Sequence, residues 1–158
     1  MKFEKLRRET YQNVWNEIVK EVARLNTKIE KLLDIGCGKC LLLKIISKRF
    51  KVKEIWGVDI SEKSKHECIK RGIKFVKHNV EYPLPFEDNL FDVVICNQVM
   101  EHIYNTDDLI SETYRILRPN GFLYFRRQIL LHFITGFFFS LVCNRQQYLL
   151  SRKFLEIH

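Results

Sequence analysis

The chain has 158 residues, of which 46% are hydrophobic and 29% charged, and its formal net charge is +8. A single domain of this length buries about 70% of the surface that its unfolded chain exposes, so we expect one substantial core, and the composition argues against disorder. The excess of basic residues lies mainly between residues 39 and 77, on two predicted helices and their loops, which is typical of a solvated surface. We therefore do not expect nucleic acid as a partner.

The N-terminal residues are rich in basic side chains and lack the apolar stretch of a secretory signal peptide. The chain also has five cysteines, an odd number. Both observations favour a reducing compartment, and we expect the protein to be cytoplasmic.

Apolar residues recur at helical spacing from Phe3 to Leu25, with arginine and lysine side chains between them. This pattern predicts an amphipathic N-terminal helix within residues 1–28. Tyr11 and Trp15 form an aromatic pair on it, and an aromatic pair at this spacing is typical of core packing.

Residues 31–40 read Lys-Leu-Leu-Asp-Ile-Gly-Cys-Gly-Lys-Cys, which predicts a buried strand, a tight turn and the start of a helix. Gly36 and Gly38 lack a Cβ, so the backbone can turn sharply and a ligand can lie against it. A second apolar strand ends at Asp59, 21 residues after Gly38. At that separation a carboxylate can accept both hydroxyls of a ribose, so the pattern favours a nucleotide-binding site.

Strand and helix patterns alternate through a predicted core of residues 29–127. The predicted strands cover residues 30–35, 54–60, 73–77, 91–96 and 122–126. The predicted helices cover residues 41–50, 61–70 and 106–117. Ser61 and Thr106 are typical N-caps, and Pro119-Asn-Gly121 is expected to stop the third helix. Strands that alternate with helices form parallel, right-handed crossovers, so we predict one α/β domain with a doubly wound, mostly parallel sheet of about five strands.

Leu-Leu-Asp34-Ile-Gly-Cys-Gly resembles the first motif of the Rossmann-like methyltransferases that depend on S-adenosylmethionine (SAM). Three later segments are similar to the small-molecule branch of that family: Gly57-Val-Asp59-Ile, Leu84-Pro-Phe with the following Phe91-Asp-Val-Val, and Leu117-Arg-Pro-Asn-Gly-Phe-Leu. The resemblance implies an enzyme that transfers a methyl group from SAM to a small-molecule acceptor by in-line displacement. Hydrophobic molecules are among the acceptors that it allows. A non-catalytic module that binds SAM or its product S-adenosylhomocysteine (SAH), or another protein, remains the alternative.

The resemblance also implies which residues form the cofactor site, and it implies no metal there. The cofactor-binding residues are Asp34, Gly36, Cys37, Gly38, Asp59, Ile60, Asn79, Val80 and Asn97. Asp34 is expected at the methionine end of SAM, Asp59 at the ribose and Ile60 against the adenine. Asn79 replaces the acid that usually faces the adenine amino group, and its amide oxygen can still accept that hydrogen bond. In the family a helix like the N-terminal one covers the cofactor pocket, so Tyr11 and Trp15 are either lid residues or part of the core.

Methyl transfer from a cationic sulfur needs mainly alignment and exclusion of water, and it needs a general base only where the acceptor must lose a proton. Glu101, His102 and Tyr104 follow the fourth predicted strand and are the candidate bases. Family members often carry Glu-His here as a structural pair, so His102 is either a base or a wall residue. Cys40 replaces the last glycine of the usual Gly-x-Gly-x-Gly, and if its φ must be positive, its Cβ costs about 1 kcal/mol.

Two other interpretations involve the cysteines. Cys37-Gly-Lys-Cys40 is also typical of a thioredoxin-like redox site. A zinc site formed by Cys37, Cys40, His66 and Cys68 would require strand and helix ends to converge. Binding of NAD is disfavoured, because the third glycine of its motif would fall at the bulky Leu41.

The C-terminal segment, residues 128–158, begins with an apolar stretch that is too short and too interrupted to span a bilayer. We expect a helix over residues 128–135, a break at Gly136 and a second helix through Tyr148 and Leu150. We expect the last two strands of the family to be absent, which would leave the fifth strand with an open edge. The cluster at residues 137–139 would then cover that edge, form a homodimer through residues 128–150, or lie in a membrane interface.

Overall fold

A computed structural model describes residues 2–25, 27–128 and 138–144. The first half of the chain contains α1 (Lys2–Arg24), β1 (Lys31–Ile35), α2 (Leu41–Arg49), β2 (Glu54–Asp59), α3 (Glu62–Lys70) and β3 (Lys74–Lys77). The second half contains β4 (Phe91–Asn97), a short 3-10 turn (Met100–His102), α4 (Thr106–Ile116), β5 (Leu117–Gln128) and β6 (Phe138–Asn144). No helix of the described part has the length and apolar character needed to cross a membrane.

The strands form one sheet in the order β3-β2-β1-β4-β5-β6. The first five are parallel to their neighbours, as predicted, and β6 is antiparallel to β5. The chain moves outward from β1 to β3 and then returns to pair β4 with the other side of β1. Ligands bind at such a reversal, beyond the carboxyl ends of the two central strands, so the topology places the site beside Ile35 and Asn97.

Two apolar layers cover the two faces of the sheet, because successive side chains of a strand point to opposite faces. Leu32 of β1 packs with α1 and α2, whereas the adjacent Leu33 packs on the face that α4 covers. The largest completely buried side chains on the first face are Ile18, Leu32, Leu43, Ile46 and Ile95. Those on the second face include Phe91, Ile35, Ile116 and Leu117.

One of the two predicted helix caps is wrong, and the other, Ser61, is at the predicted N-cap position but without a side-chain bond. The N-cap of α4 is Asn105 rather than Thr106, and its side-chain oxygen accepts a hydrogen bond from the backbone N–H of Asp108 at 3.4 Å. Ser61 does precede α3, but its side chain makes no capping bond. Its backbone N–H donates instead to Asp59, as described below.

The fifth strand begins at Leu117, five residues before its predicted start. Leu117 pairs with Phe91, and the register shifts before Val93 pairs with Phe122. Asn120 has a φ of 64°, so the segment that we expected to stop the helix also forms an irregularity within the strand. The turn residues ended α4 as predicted but did not end the pairing.

The predicted second C-terminal helix was wrong for Phe138–Asn144, which forms β6. This strand pairs with β5 from Phe122↔Asn144 to Gln128↔Phe138. Its phenylalanine, leucine and valine residues favour a strand, and the open edge of β5 supplies hydrogen-bond partners for its backbone. The edge expected to remain open is therefore paired within the chain. The remainder of both predicted helices lies outside the described residues, and dimer or membrane contact through residues 128–150 stays a prediction.

Candidate functional site

A cavity of about 820 Å³ lies at the carboxyl ends of β1 and β4, between α1 and the glycine turn. Its volume is in the range of pockets for small molecules. It is lined by Tyr11, Gln12, Trp15, Asp34, Gly36, Cys37, Gly38, Lys39, Leu41, Leu42, Asn97 and Gln98. Five of these are predicted cofactor residues: Asp34, Gly36, Cys37, Gly38 and Asn97. Sequence reasoning missed Gln12 and Gln98, whose only signal was their position beside Tyr11 and Asn97.

Helix α1 forms one wall of this cavity through Tyr11 and Trp15, whose ring centroids are 6.2 Å apart. Trp15 also packs against the core, so its side chain belongs both to the core and to the wall of the cavity. Glu17, two residues after Trp15, accepts a hydrogen bond from the Nη1 of Arg126 at 2.6 Å. This ion pair fixes α1 to the end of β5 and holds the aromatic wall over the pocket.

The glycine turn uses backbone conformations that side chains disfavour. Gly36 has a φ of 68°, and a Cβ at this position would lie 2.4 Å from Cγ2 of Val99. Cys40 has a φ of 54°, so it adopts the left-handed conformation that the usual glycine would take. The positive φ considered in the sequence analysis is therefore present, with the strain of a Cβ.

Asp59 connects the glycine turn to the start of α3. Its Oδ2 accepts a hydrogen bond from the backbone N–H of Gly38 at 2.9 Å, and its Oδ1 accepts one from Ser61 at 2.8 Å. Asp59 does not line the cavity, and the other residues predicted at the adenosine end also lie outside it, beyond β2 and β3. Ile60 is 63% exposed, Val80 is half-buried, and Oδ1 of Asn79 accepts a hydrogen bond from the backbone N–H of Glu81 at 3.1 Å. The structure therefore separates the predicted residues into a pocket group and a more open group around Asp59.

Asp34 belongs to the pocket group and is 5% exposed. Burial, together with the nearby charge of Asp59, raises the pKa of its carboxyl from 3.8 to about 8. The described part of the chain contains no hydrogen-bond donor to this carboxyl and no cation beside it. A cationic group that entered the pocket would stabilise the ionised form.

The cysteines of the turn form a different arrangement from the predicted redox pair. Cys40 is bonded to Cys68 of α3, while Cys37 is a free, buried thiol. Burial and the charges of Asp34 and Asp59 raise the pKa of Cys37 well above its usual range, so it is not a reactive thiolate. The geometry therefore does not support the thioredoxin-like interpretation. His66, named in the predicted zinc set, is exposed and pairs with the backbone oxygen of Glu62.

The candidate bases divide into one inward and two outward residues. His102 is exposed, Tyr104 is 99% exposed, and none of the three candidates lines the cavity. Glu101 is half-buried, and its Oε2 is inaccessible to solvent and has no hydrogen-bond partner among the described residues. The same is true of Oδ1 of Asn97. Glu101 is thus the candidate with a buried carboxyl oxygen, and His102 has the environment of a surface residue.

Comparison with known proteins agrees with this geometry. The family model described as a methyltransferase domain matches residues 33–125. A fatty-acid O-methyltransferase of Mycolicibacterium smegmatis is 31% identical over 108 residues, which are 65% of this chain and 39% of that protein. A bifunctional methionine biosynthesis protein, MetXA/MetW, of Rhodopirellula baltica is 29% identical over 137 residues, which are 78% of this chain and 21% of that protein. The chain thus spans well under half of either relative.

A similar fold is found in a SAM-dependent methyltransferase of Thermotoga maritima, with a TM-score of 0.58 and 24% sequence identity. The matched region covers 72% of this chain and 51% of that structure. The shared part is the sheet with its flanking helices, which confirms the predicted fold class.

Proposed function

Because the chain belongs to the methyltransferase domain family, we propose that it binds SAM across the ends of β1, β2 and β4 and transfers the methyl group to a small-molecule acceptor. The observation that carries this proposal is the buried carboxyl of Asp34 in a ligand-sized pocket beside the glycine turn. An uncompensated buried carboxyl favours a cationic ligand, and SAM carries an ammonium group at its methionine end.

The glycine turn supports the methionine end of this assignment. A Cβ on Gly38 would meet nothing within 4 Å, so the space above its backbone is open to a ligand. The first N–H groups of α2 have no partners within the helix and are directed toward the same region. Trp15 and Tyr11 would exclude water from the reacting groups.

The group around Asp59 supports the adenosine end. Each oxygen of an ionised carboxylate can accept about two hydrogen bonds, and each oxygen of Asp59 accepts one from the backbone. One acceptor position on each oxygen is thus left for a ribose hydroxyl. Ile60 offers an exposed apolar surface that an adenine ring would cover, and the amide of Asn79 lies half-buried at the end of β3.

When bound, SAM supplies an electrophilic methyl group on a cationic sulfur. The chain's part is to orient the acceptor, exclude water and, where the acceptor carries a proton, receive it. Glu101 is the residue that we assign to the last task, with Asn97 as a neighbouring hydrogen-bond acceptor that orients the ligand. A hydrophobic acceptor agrees with the aromatic wall formed by α1 and with the fatty-acid O-methyltransferase among the relatives.

Isothermal titration with SAH tests the cofactor assignment, and transfer of a radiolabelled methyl group from SAM to small-molecule extracts tests the activity. We expect binding at a stoichiometry of one and a labelled product. Failure of the folded chain to bind either SAM or SAH would overturn the proposal. Binding without transfer to any acceptor would instead support the non-catalytic alternative.

A further inference from the structure

Three buried sulfur atoms meet beneath the glycine turn. Cys37 and Cys40 come from the turn itself and Cys68 comes from α3, and their Sγ atoms all lie within 4.8 Å of one another. Cys37 is 9% exposed, and the other two are fully buried. We propose that the reduced chain binds one zinc ion through Cys37, Cys40 and Cys68, with the backbone oxygen of Gly38 as the fourth ligand.

The distances that do not involve Cys40 match one face of a tetrahedral site. Sγ of Cys37 lies 3.9 Å from Sγ of Cys68, and the Gly38 oxygen lies 3.8 Å from the first sulfur and 3.6 Å from the second. Zinc bonds of about 2.3 Å to sulfur and about 2.1 Å to oxygen place neighbouring ligands about 3.8 Å apart for two sulfurs and about 3.6 Å apart for sulfur and oxygen. One ion can therefore contact all three atoms if their separations change by about 0.2 Å or less.

Cys40 supplies the remaining corner of the tetrahedron. Its Cα lies 5.3 Å from that of Cys68, and in the structure the two sulfur atoms are bonded to each other. The disulfide and the metal site are alternatives, because they use the same two sulfur atoms. A phosphine reductant supplies two electrons and becomes its oxide with the oxygen of one water molecule. The two protons of that water complete the two thiols formed from the disulfide. The zinc ion then displaces the protons of all three thiols, which pass to solvent.

The surroundings of the cluster also suit a cation. A Cβ on Gly57 would lie 2.6 Å from Sγ of Cys37 and 3.2 Å from Sγ of Cys40, so β2 leaves room for the sulfur atoms only because this residue is glycine. The charge of Asp59 acts on Cys37, so the local potential is negative. Soft thiolate ligands select zinc and copper(I) over magnesium and calcium, and the oxygen atom at the fourth position favours zinc.

The test uses the whole chain, reduced with a phosphine under nitrogen and titrated with zinc chloride, with metal content measured after gel filtration. We expect one zinc ion per chain and a higher melting temperature, since an ion that binds only the folded state stabilises it. Cobalt(II) in place of zinc should give the visible spectrum of a tetrahedral thiolate site.

Two comparisons make the result specific. Cys68→Ser should lose zinc binding, whereas Cys96→Ser, which replaces a buried free thiol outside the cluster, should retain it. The oxidised parent, which has the same sequence and the Cys40–Cys68 disulfide, should bind no zinc, so the test does not depend on the folding of any variant. Absence of zinc from the reduced, folded parent would overturn the proposal, as would equal zinc content in the reduced and oxidised chains.

Discussion

Asp34 and Asp59 stand at the carboxyl ends of neighbouring strands, 25 residues apart in the sequence, but their carboxyl groups have different surroundings. Asp59 accepts a backbone hydrogen bond on each oxygen and connects the glycine turn to α3. Asp34 is more deeply buried, and no donor of the described residues reaches it. One acid is satisfied by the protein itself, whereas the other is left without a partner.

The two acids therefore contribute to stability in different ways. The contribution of Asp59 is structural, and that of Asp34 depends on the ligand. Hydrogen bonds to backbone N–H groups stabilise the charged form of a carboxyl, so Asp59 supports the turn without any ligand. Burial without a partner disfavours the charged form, so Asp34 lowers the stability of the free protein wherever it is ionised. We expect a bound ligand to change the free energy of ionisation of Asp34 more than that of Asp59.

The largest effect is expected for the pH dependence of stability in Asp34→Asn. The folded carboxyl keeps its proton between pH 3.8 and about 8, where the unfolded one has lost it. The free energy of unfolding of the parent therefore falls as the pH rises through this range, by at most about 1.4 kcal/mol per pH unit. Asparagine stays neutral, so its advantage over the parent should grow by on the order of 3 kcal/mol between pH 5 and pH 8.

Urea unfolding at both pH values measures this difference. Asp107→Asn, which changes an exposed acid in the first turn of α4, is the matched control and should follow the parent. Parallel pH profiles for the parent and Asp34→Asn would show that Asp34 is ionised and compensated in the folded protein.

The second expectation concerns the affinity for SAH and rests on the proposed function. If the ligand ammonium pairs with ionised Asp34, the affinity should rise on the order of 50-fold from pH 6 to pH 8, as the ionised fraction of a group with a pKa of about 8 rises from about 1% to about half. Titration calorimetry in two buffers should detect about one proton released per ligand bound near pH 6. Asp34→Asn should bind weakly and lose this pH dependence. A parent affinity that does not vary with pH would place the ammonium elsewhere.

The third expectation is a loss of SAH affinity in Asp59→Ala by roughly 30-fold, since charge-assisted hydrogen bonds to a ribose contribute on the order of 2 kcal/mol. Its affinity should still rise with pH because Asp34 is intact, but over a lower pH range than in the parent, since the charge that raises the pKa of Asp34 is gone. Asp107→Ala serves as the control, and circular dichroism verifies folding. Unchanged affinity in folded Asp59→Ala would remove Asp59 from the site.

The smallest effect is expected for Cys40→Gly, measured with a reductant and a chelator so that neither the disulfide nor a metal contributes. Glycine relieves the left-handed backbone at this position but increases the entropy of the unfolded chain, so the two effects nearly cancel. The free energy of unfolding should change by less than about 1 kcal/mol, and SAH should bind equally well or more tightly. A large loss of affinity would mean that the Cys40 side chain shapes the turn.

Local patterns in the sequence predicted the fold and part of the site. These patterns are the apolar runs of β1 and β4 and the spacing of Gly38 and Asp59. Each involves residues that lie near one another in the sequence. The convergence of Cys37, Cys40 and Cys68 depends on how α3 packs against the turn. A short stretch of sequence contains no information on that packing. The ion pair from Glu17 to Arg126 joins positions 109 residues apart and has no local signal.

The C-terminal strand was predicted wrongly for a different reason. Apolar periodicity alone does not distinguish a short buried strand from a helix, and the deciding factor for Phe138–Asn144 was the open edge of β5. The edge was predicted, but the sequence contained no information on which of its possible partners would pair with it.

The sheet order also has a consequence for folding kinetics. The central pair joins Leu32 to Val93, 61 positions away, whereas the pair at the edge joins Leu123 to Cys143, 20 positions away. Closing the longer loop costs about 1 kcal/mol more chain entropy, since the cost grows with the logarithm of loop length. We expect β5 and β6 to pair before β1 meets β4, so pulse-labelled amides of β5 should become protected from exchange earlier than those of β1. The glycine turn, which follows β1, would then be among the last parts of the chain to assemble.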